Sequence, residues 1–267
     1  MNTMVLKIGG SILGKLPDSF FETIVQLKEK KICDPIIVHG GGPEINAALK
    51  QMEIKTKFVN GLRVTTQEVL NVAEMVMSGS VNKKIVTNIQ KQGGFGFGLS
   101  GVDGKLLEAQ PVDHSGELGF VGEVANVNTI WIEAVMQEGA IPVISPIGVD
   151  VTGQQYNING DMAAAGVAEA TGGKLALISD IPGVMETIEE QKIIHSTLTS
   201  EQIEQKIDSG VIYGGMIPKV RSALKSLEGG VAEAVILNGF APNDLKDYVE
   251  GKSAGTKVML EKEGTYV

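Results

Sequence analysis

The scarcities of this sequence narrow it first. It contains a single cysteine, Cys33, so no internal disulfide can form, which suits a reducing compartment. Its three histidines, His39, His114 and His195, stand far apart, and no grouping of His, Cys, Asp or Glu has metal-ligand spacing. All three are expected to be structural, and the protein itself is expected to hold no metal. There is no N-terminal apolar segment with a cleavage site, and no hydrophobic run reaches transmembrane length. The closest, residues 140–149, is interrupted by Pro142 and Pro146. Positive charge is in deficit, with a formal net charge of −9, which argues against nucleic acid or an anionic membrane as partner. Together these absences predict a soluble, cytoplasmic globular protein.

Two common nucleotide-binding signatures are missing as well. Gly96-Phe97-Gly98-Leu99-Ser100-Gly101 has dinucleotide spacing, but a hairpin turn is predicted at Val102-Asp103-Gly104, where that motif must open a helix. Gly251-Lys252-Ser253 looks like the end of a P-loop, yet Lys246 occupies the place of its first glycine. Any ATP must be bound in another way.

What the sequence has in excess is glycine: 34 of 267 residues, nearly twice the usual share and clustered in short loops. The chain is organised around Ile36-Ile37-Val38-His39-Gly40-Gly41-Gly42-Pro43. A β-branched run stops at three glycines, and a proline opens a helix at the one place where its missing N–H costs nothing. A plain turn does not need three glycines; together they let backbone N–H groups and the positive helix end approach an anion. Met4–Ile8 reads as a strand running into Gly9-Gly10-Ser11, with Lys7 as a mobile cation beside a glycine turn, an arrangement suited to phosphate. Gly214-Gly215-Met216-Ile217-Pro218-Lys219 repeats the pattern, and sets a lysine in a first helical turn where the dipole disfavours it unless an anion lies between.

Other stretches are polar in informative places. Asn60-Gly61 predicts a tight turn, and Arg63 just after it is either a clamp for a carboxylate or one half of a surface salt bridge. Tyr156-Asn157-Ile158-Asn159-Gly160-Asp161 precedes an alanine-rich helix, for which Asp161 is a candidate N-cap. Leu175–Val184 reads as a strand ending in an acid, a proline and a glycine, the kind of βα end where open sheets hold ligands. Residues 66–92 predict a long amphipathic helix or helix pair, residues 103–128 hairpins projecting from a sheet edge, and Thr199–Gln202 a capping box.

Lys7–Ser11, His39–Pro43, Asn60–Thr65, Asn157-x-Asn159-x-Asp161, Ser179–Val184 and Gly214–Val220 occur in one order, and together they closely resemble the amino acid kinase family. The resemblance spans the chain from first strand to last. It implies an α/β fold: an open three-layer αβα sandwich with a mainly parallel central sheet and two lobes. Residues 1–155 would hold the amino-acid substrate and the dimer contact, and residues 156–267 the ATP. The implied reaction moves the γ-phosphoryl group of ATP onto the side-chain carboxylate of N-acetyl-L-glutamate, early in arginine biosynthesis, with Mg2+ held mainly by phosphates and water. Transfer to another acidic amino acid derivative, such as carrier-bound aminoadipate, is an alternative. So is a non-catalytic ligand-binding regulator, although such a protein should lack one of the key charged residues.

Carried over by position, Lys7 and Lys219 stabilise the transferring phosphoryl group and Asp161 orients both lysines. Gly41 and Gly42 receive the substrate through their N–H groups, and Arg63 and Asn157 hold it. Gly9, Gly10, Asp180, Ile181, Pro182, Gly183, Val184, Met185, Val211, Ile212 and Tyr213 line ATP. Glu44, Thr66 and Gly160 stand where many members have Gln, Asp and Ala. The resemblance also implies a homodimer. About three residues precede the first strand, less than one helical turn, so neither the N-terminal helix that links dimers into hexamers nor arginine inhibition is expected.

Overall fold

In a sheet covered on both sides, both faces of each strand are apolar, and the inner strands here obey that rule. The computed structural model describes residues 2–113, 115–188, 191–241 and 243–261. β1 (Thr3–Ile8) leads through a short helix, α1 (Gly10–Leu13), into α2 (Asp18–Glu29), then β2 (Asp34–His39) and α3 (Gly42–Gln51). The hairpin β3 (Phe58–Val59) and β4 (Leu62–Arg63) follows, then α4 (Gln67–Glu74), a π-helical stretch (Met75–Val81) and α5 (Asn82–Lys91). Next come β5 (Gly96–Ser100), β6 (Leu107–Pro111), β7 (Val121–Val127), α6 (Ile130–Gln137), β8 (Ile141–Ser145), β9 (Ile147–Val149) and β10 (Gln155–Ile158). The second half runs α7 (Gly160–Thr171), β11 (Lys174–Ser179), the hairpin β12 (Met185–Ile188) and β13 (Gln191–Ile194), then β14 (Thr197–Thr199) and α8 (Ser200–Asp208). It closes with α9 (Met216–Glu228), β15 (Ala234–Asn238), α10 (Asp244–Val249) and β16 (Thr256–Met259).

One eight-stranded sheet, in the order β14-β16-β15-β11-β1-β2-β8-β5, unites the two halves of the chain. Every neighbouring pair is parallel except β15 with β16. Alternate side chains serve opposite layers. Val5, Ile36, Val38, Leu175, Leu177 and Ile236 pack with α7 and α9, whereas Leu6, Ile8, Ile37, Ala176, Ile178 and Val235 pack with α2 and α5. This is the expected αβα sandwich. From β1 the chain crosses by α2 to β2 on one side; from β11 it crosses by α9 to β15 on the other. Right-handed crossovers in opposite directions need opposite faces, so the loops after β1 and β11 diverge and open a crevice at the strands' C-terminal ends.

Two local expectations are revised. The segment after β5 does not form a hairpin turn: Asp103–Lys105 is a single 3-10 turn, and β6 and β7 close with β9 and β10 into a small barrel beside the sheet. The helix over residues 66–92 is continuous but widens to a π-helix at Met75–Val81. Its start is as the sequence indicates, with the Thr66 side chain accepting from Val69 N–H. Among the described residues no helix is long and apolar enough to cross a membrane.

Candidate active site

The site grows from three loops that meet at the end of β1. Gly40 N–H donates to the carbonyl of Ile8 at 3.0 Å, which ties the second glycine loop to the first. Gly10 is the close-packing point: a Cβ there would lie 2.9 Å from Pro43 Cδ and 3.0 Å from the backbone nitrogen of Gly42. Gly160, at the start of α7, completes the junction beside His39 and Gly40. The amides of Gly41 and Gly42 have no acceptor among the described residues, so the start of α3 presents unsatisfied donors and the positive end of its dipole.

Lys7 projects from β1 into this junction, and its Nζ lies 2.9 Å from Asp161 Oδ1. Asp161 is not the N-cap of α7; that position belongs to Asn159, whose Oδ1 accepts from the N–H groups of Asp161 and Met162. Capping by Asn159 leaves the Asp161 carboxylate available to the lysine.

Arg63 stands at the end of the hairpin made by Asn60 and Gly61, both at positive φ (49° and 79°), as a type I′ turn requires. Its side chain is buried, only 8% of the residue being exposed. It stacks 4.7 Å above the Phe58 ring, and donates to Thr56 Oγ1 at 3.3 Å and to the Gly42 carbonyl at 3.4 Å. No carboxylate pairs with it among the described residues. Burial lowers its hold on the proton, but guanidinium is basic enough to stay charged. A desolvated cation with only neutral acceptors is a standing demand for an anion. Arg63, Gly41, Gly42 and Asn157 line one cavity of about 190 Å³, with Met77 and Leu62 as apolar wall. Asn157 is braced by donating to Thr65 Oγ1 at 3.2 Å. A larger groove of about 500 Å³ between β7, α7 and α9 lies apart from these charged groups.

Across the crevice, Lys219 in α9 donates to Ser179 Oγ at 2.7 Å and to Asp180 Oδ1 at 3.1 Å. That hydrogen bond holds the Asp180 carboxyl below the usual carboxylate range. Among the described residues Lys219 is therefore paired with Asp180, and Asp161 with Lys7, where the resemblance implies one acid orienting both lysines. The loop Ile181-Pro182-Gly183-Val184 is pinned to β16, since Val184 N–H donates to Thr256 Oγ1 at 2.8 Å, and Met185 opens the β12 hairpin. Of Val211, Ile212 and Tyr213, Ile212 is buried and Tyr213 is 75% exposed beside the start of α9.

Sequence reasoning missed Ser179 as a partner of Lys219, the cap at Asn159, and a polar pair in the core, His39 and Asn82. Asn159, Ser179 and His39 all stand in stretches singled out in the sequence, but without these partners; Asn82 left no trace. His195 is bound to Glu186 at 2.8 Å, next to Lys206, and has a structural place; His114 lies outside the described residues.

Residues 2–238 match the model of the amino acid kinase family. Over the full length of both chains the sequence is 60% identical to acetylglutamate kinase of Oceanobacillus iheyensis. Over 97% of each chain it is 46% identical to acetylglutamate kinase of Geobacillus kaustophilus. The solved structure of smu.665 from Streptococcus mutans superposes with a TM-score of 0.79 at 28% identity, covering 96% of this chain and 98% of that one. Carbamate kinase from Giardia lamblia bound to AMP-PNP shares the fold at 13% identity, with a TM-score of 0.67 over 97% and 99% of the two chains.

Proposed function

Since this chain belongs to the amino acid kinase family, we propose that its crevice is where ATP phosphorylates the side-chain carboxylate of N-acetyl-L-glutamate. The activity itself, a phosphotransferase acting on N-acetylglutamate, follows from full-length identity to acetylglutamate kinases. Such a step belongs to arginine biosynthesis. The residue roles are our assignment. The observation that carries it is Arg63, a buried guanidinium without a carboxylate partner among the described residues, facing the same cavity as the open amides of Gly41 and Gly42. A substrate with a carboxylate at each end satisfies both demands at once. Arg63 and Asn157 take the α-carboxylate end, and the Gly41 and Gly42 amides take the end being phosphorylated.

The acceptor carboxylate is already ionised at neutral pH, so no general base is needed. Its oxygen forms a bond to the γ-phosphorus as the bond to ADP's bridging oxygen breaks, giving an acyl phosphate. What the protein supplies is charge in position. Lys7, steadied by Asp161, serves the acceptor side. Lys219 leaves Asp180 to meet the nucleotide's phosphates. Among the described residues no three His, Cys, Asp or Glu are grouped to hold a metal ion. Mg2+ would thus arrive on the phosphates of ATP, where it offsets their negative charge.

Residues 1–155 form the acceptor lobe and residues 156–267 the nucleotide lobe in this reading, with Asp180–Met185, Val211–Tyr213, Gly9 and Gly10 lining ATP. A cytoplasmic homodimer fits the single buried cysteine and the open edge strand β5, which carries the exposed Phe97 and is preceded by the exposed Phe95. A coupled ADP-release assay over free and acylated glutamate, aspartate and aminoadipate tests the assignment. Preference for anything but N-acetyl-L-glutamate would overturn it.

A further inference from the structure

Directly beneath the Gly40–Gly42 loop the core holds two fully buried polar residues, His39 and Asn82. Polar groups placed there cost desolvation unless every donor and acceptor is matched. Here one arrangement matches them. His39 Nδ1 lies 3.0 Å from the Gly40 carbonyl oxygen, which can only accept, so Nδ1 carries the proton. Lys83 donates to Asn82 Oδ1 at 3.1 Å, and Asn82 Nδ2 donates to the Val143 carbonyl at 2.8 Å, which fixes the amide's orientation. The same Nδ2, a donor only, also faces the Leu99 carbonyl and His39 Nε2, each at 3.3 Å, so towards Asn82 the Nε2 can only accept.

The consequence reaches the cavity through one peptide bond. The Gly40 carbonyl and the Gly41 N–H belong to the same planar trans unit and point in opposite directions. Fixing the carbonyl on His39 therefore fixes the direction of the Gly41 N–H, which has no acceptor among the described residues and belongs to a residue lining the cavity. Met77 of the π-helix presses on Gly41 from the other side: a Cβ there would lie 2.9 Å from Met77 Cγ. Asn82 is the first residue after that π-helical stretch.

We propose that His39, held by Asn82 as the Nδ1–H tautomer, is a positioning residue that aims the Gly41 amide at the carboxylate being phosphorylated. This rests on the functional reading above, in which that amide receives the acceptor. It assigns His39 to orientation and to no contact with substrate.

The test uses the whole chain, which has only three histidines. Long-range 1H–15N correlation at neutral pH should show one imidazole protonated on Nδ1 alone; Nε2–H or imidazolium at His39 overturns the proposal. Asparagine keeps a donor at the Nδ1 position, whereas glutamine reaches the Nε2 position and loses the Gly40 contact. His39→Asn should hold kcat/KM for the acceptor within about threefold, and His39→Gln should lower it roughly tenfold or more, the scale of misdirecting one anion-stabilising donor. KM for ATP and the melting temperature should be alike in the two variants. Equal losses in both, or full activity in both, would show that the ring only fills space. Should neither variant fold, the tautomer in the unmodified protein decides the question. If the unmodified chain phosphorylates no acidic amino acid, the functional reading fails instead, a result visible before any variant is made.

Discussion

Lys219 and Asp180 are joined at 3.1 Å on one wall of the crevice, with Ser179 Oγ as a second acceptor at 2.7 Å. The ammonium is thus parked on the nucleotide side before any phosphate arrives, and a triphosphate must draw it off. Lys219→Ala should lower kcat on the order of a hundredfold or more, because the charge counts most in the transition state. KM for either substrate should change far less. Steady-state kinetics at saturating ATP checks this, and near-normal turnover would remove Lys219 from the mechanism.

Arg63 tests the acceptor pocket. Lysine would keep the charge but lose the planar fork and the stacking on Phe58. Arg63→Lys should raise KM for N-acetyl-L-glutamate by about tenfold, the value of roughly one charge-assisted hydrogen bond. ATP binding should stay as it was. Loss of affinity for both ligands, measured by calorimetry, would make Arg63 a structural residue.

The glycine loops make a paired prediction. At Gly10 an added methyl meets Pro43 and the backbone of Gly42, which cannot yield without spreading the two loops. At Gly14, with φ −69° and nothing within 4 Å, the same methyl meets open space. Gly10→Ala should cost roughly tenfold or more in kcat/KM by displacing the amides. Gly14→Ala should leave activity intact and gain a few tenths of a kcal/mol or more in stability. Comparable kinetics for the two would mean that the close approach at Gly10 has no functional weight.

Much of this was legible because each feature has a local cause. The turn at Asn60-Gly61 is dictated by two residues that tolerate positive φ, and the alternation of apolar strands with amphipathic helices determines the sandwich. Arg63 was not decidable, since clamp and surface salt bridge differ only in burial, which depends on the docking of its hairpin against Gly42, 21 residues earlier. The partners of Lys219 were hidden for the same reason, Ser179 being 40 residues away. The barrel of β6, β7, β9 and β10 needs pairings among short strands of mixed polarity, whose partners are not specified by local pattern. The π-helix at Met75–Val81 has no sequence signal that we can name, though it presses Met77 on Gly41.

Acid should loosen the fold through His39, in a window where few other groups act. Burial lowers the pKa of this imidazole from its ordinary 6.5 to about 4, with Lys83 adding to the effect. Between those values the unfolded chain takes up a proton that the folded chain refuses, so stability falls as pH falls, and below about 4 this group adds no further slope. The loss attributable to His39 is about 2 kcal/mol between pH 7 and pH 5 and about 3 kcal/mol in all. Carboxylates such as Glu233, held down to about 2 by Lys174, Lys257 and Tyr248, stay ionised in both states over most of that range and act at lower pH. Urea unfolding at pH 7 and pH 5 should therefore show the decline in the unmodified protein and largely lose it in His39→Asn, which has no ring to protonate. An equal decline in both would place the acid sensitivity elsewhere and His39 in a site wet enough to titrate normally.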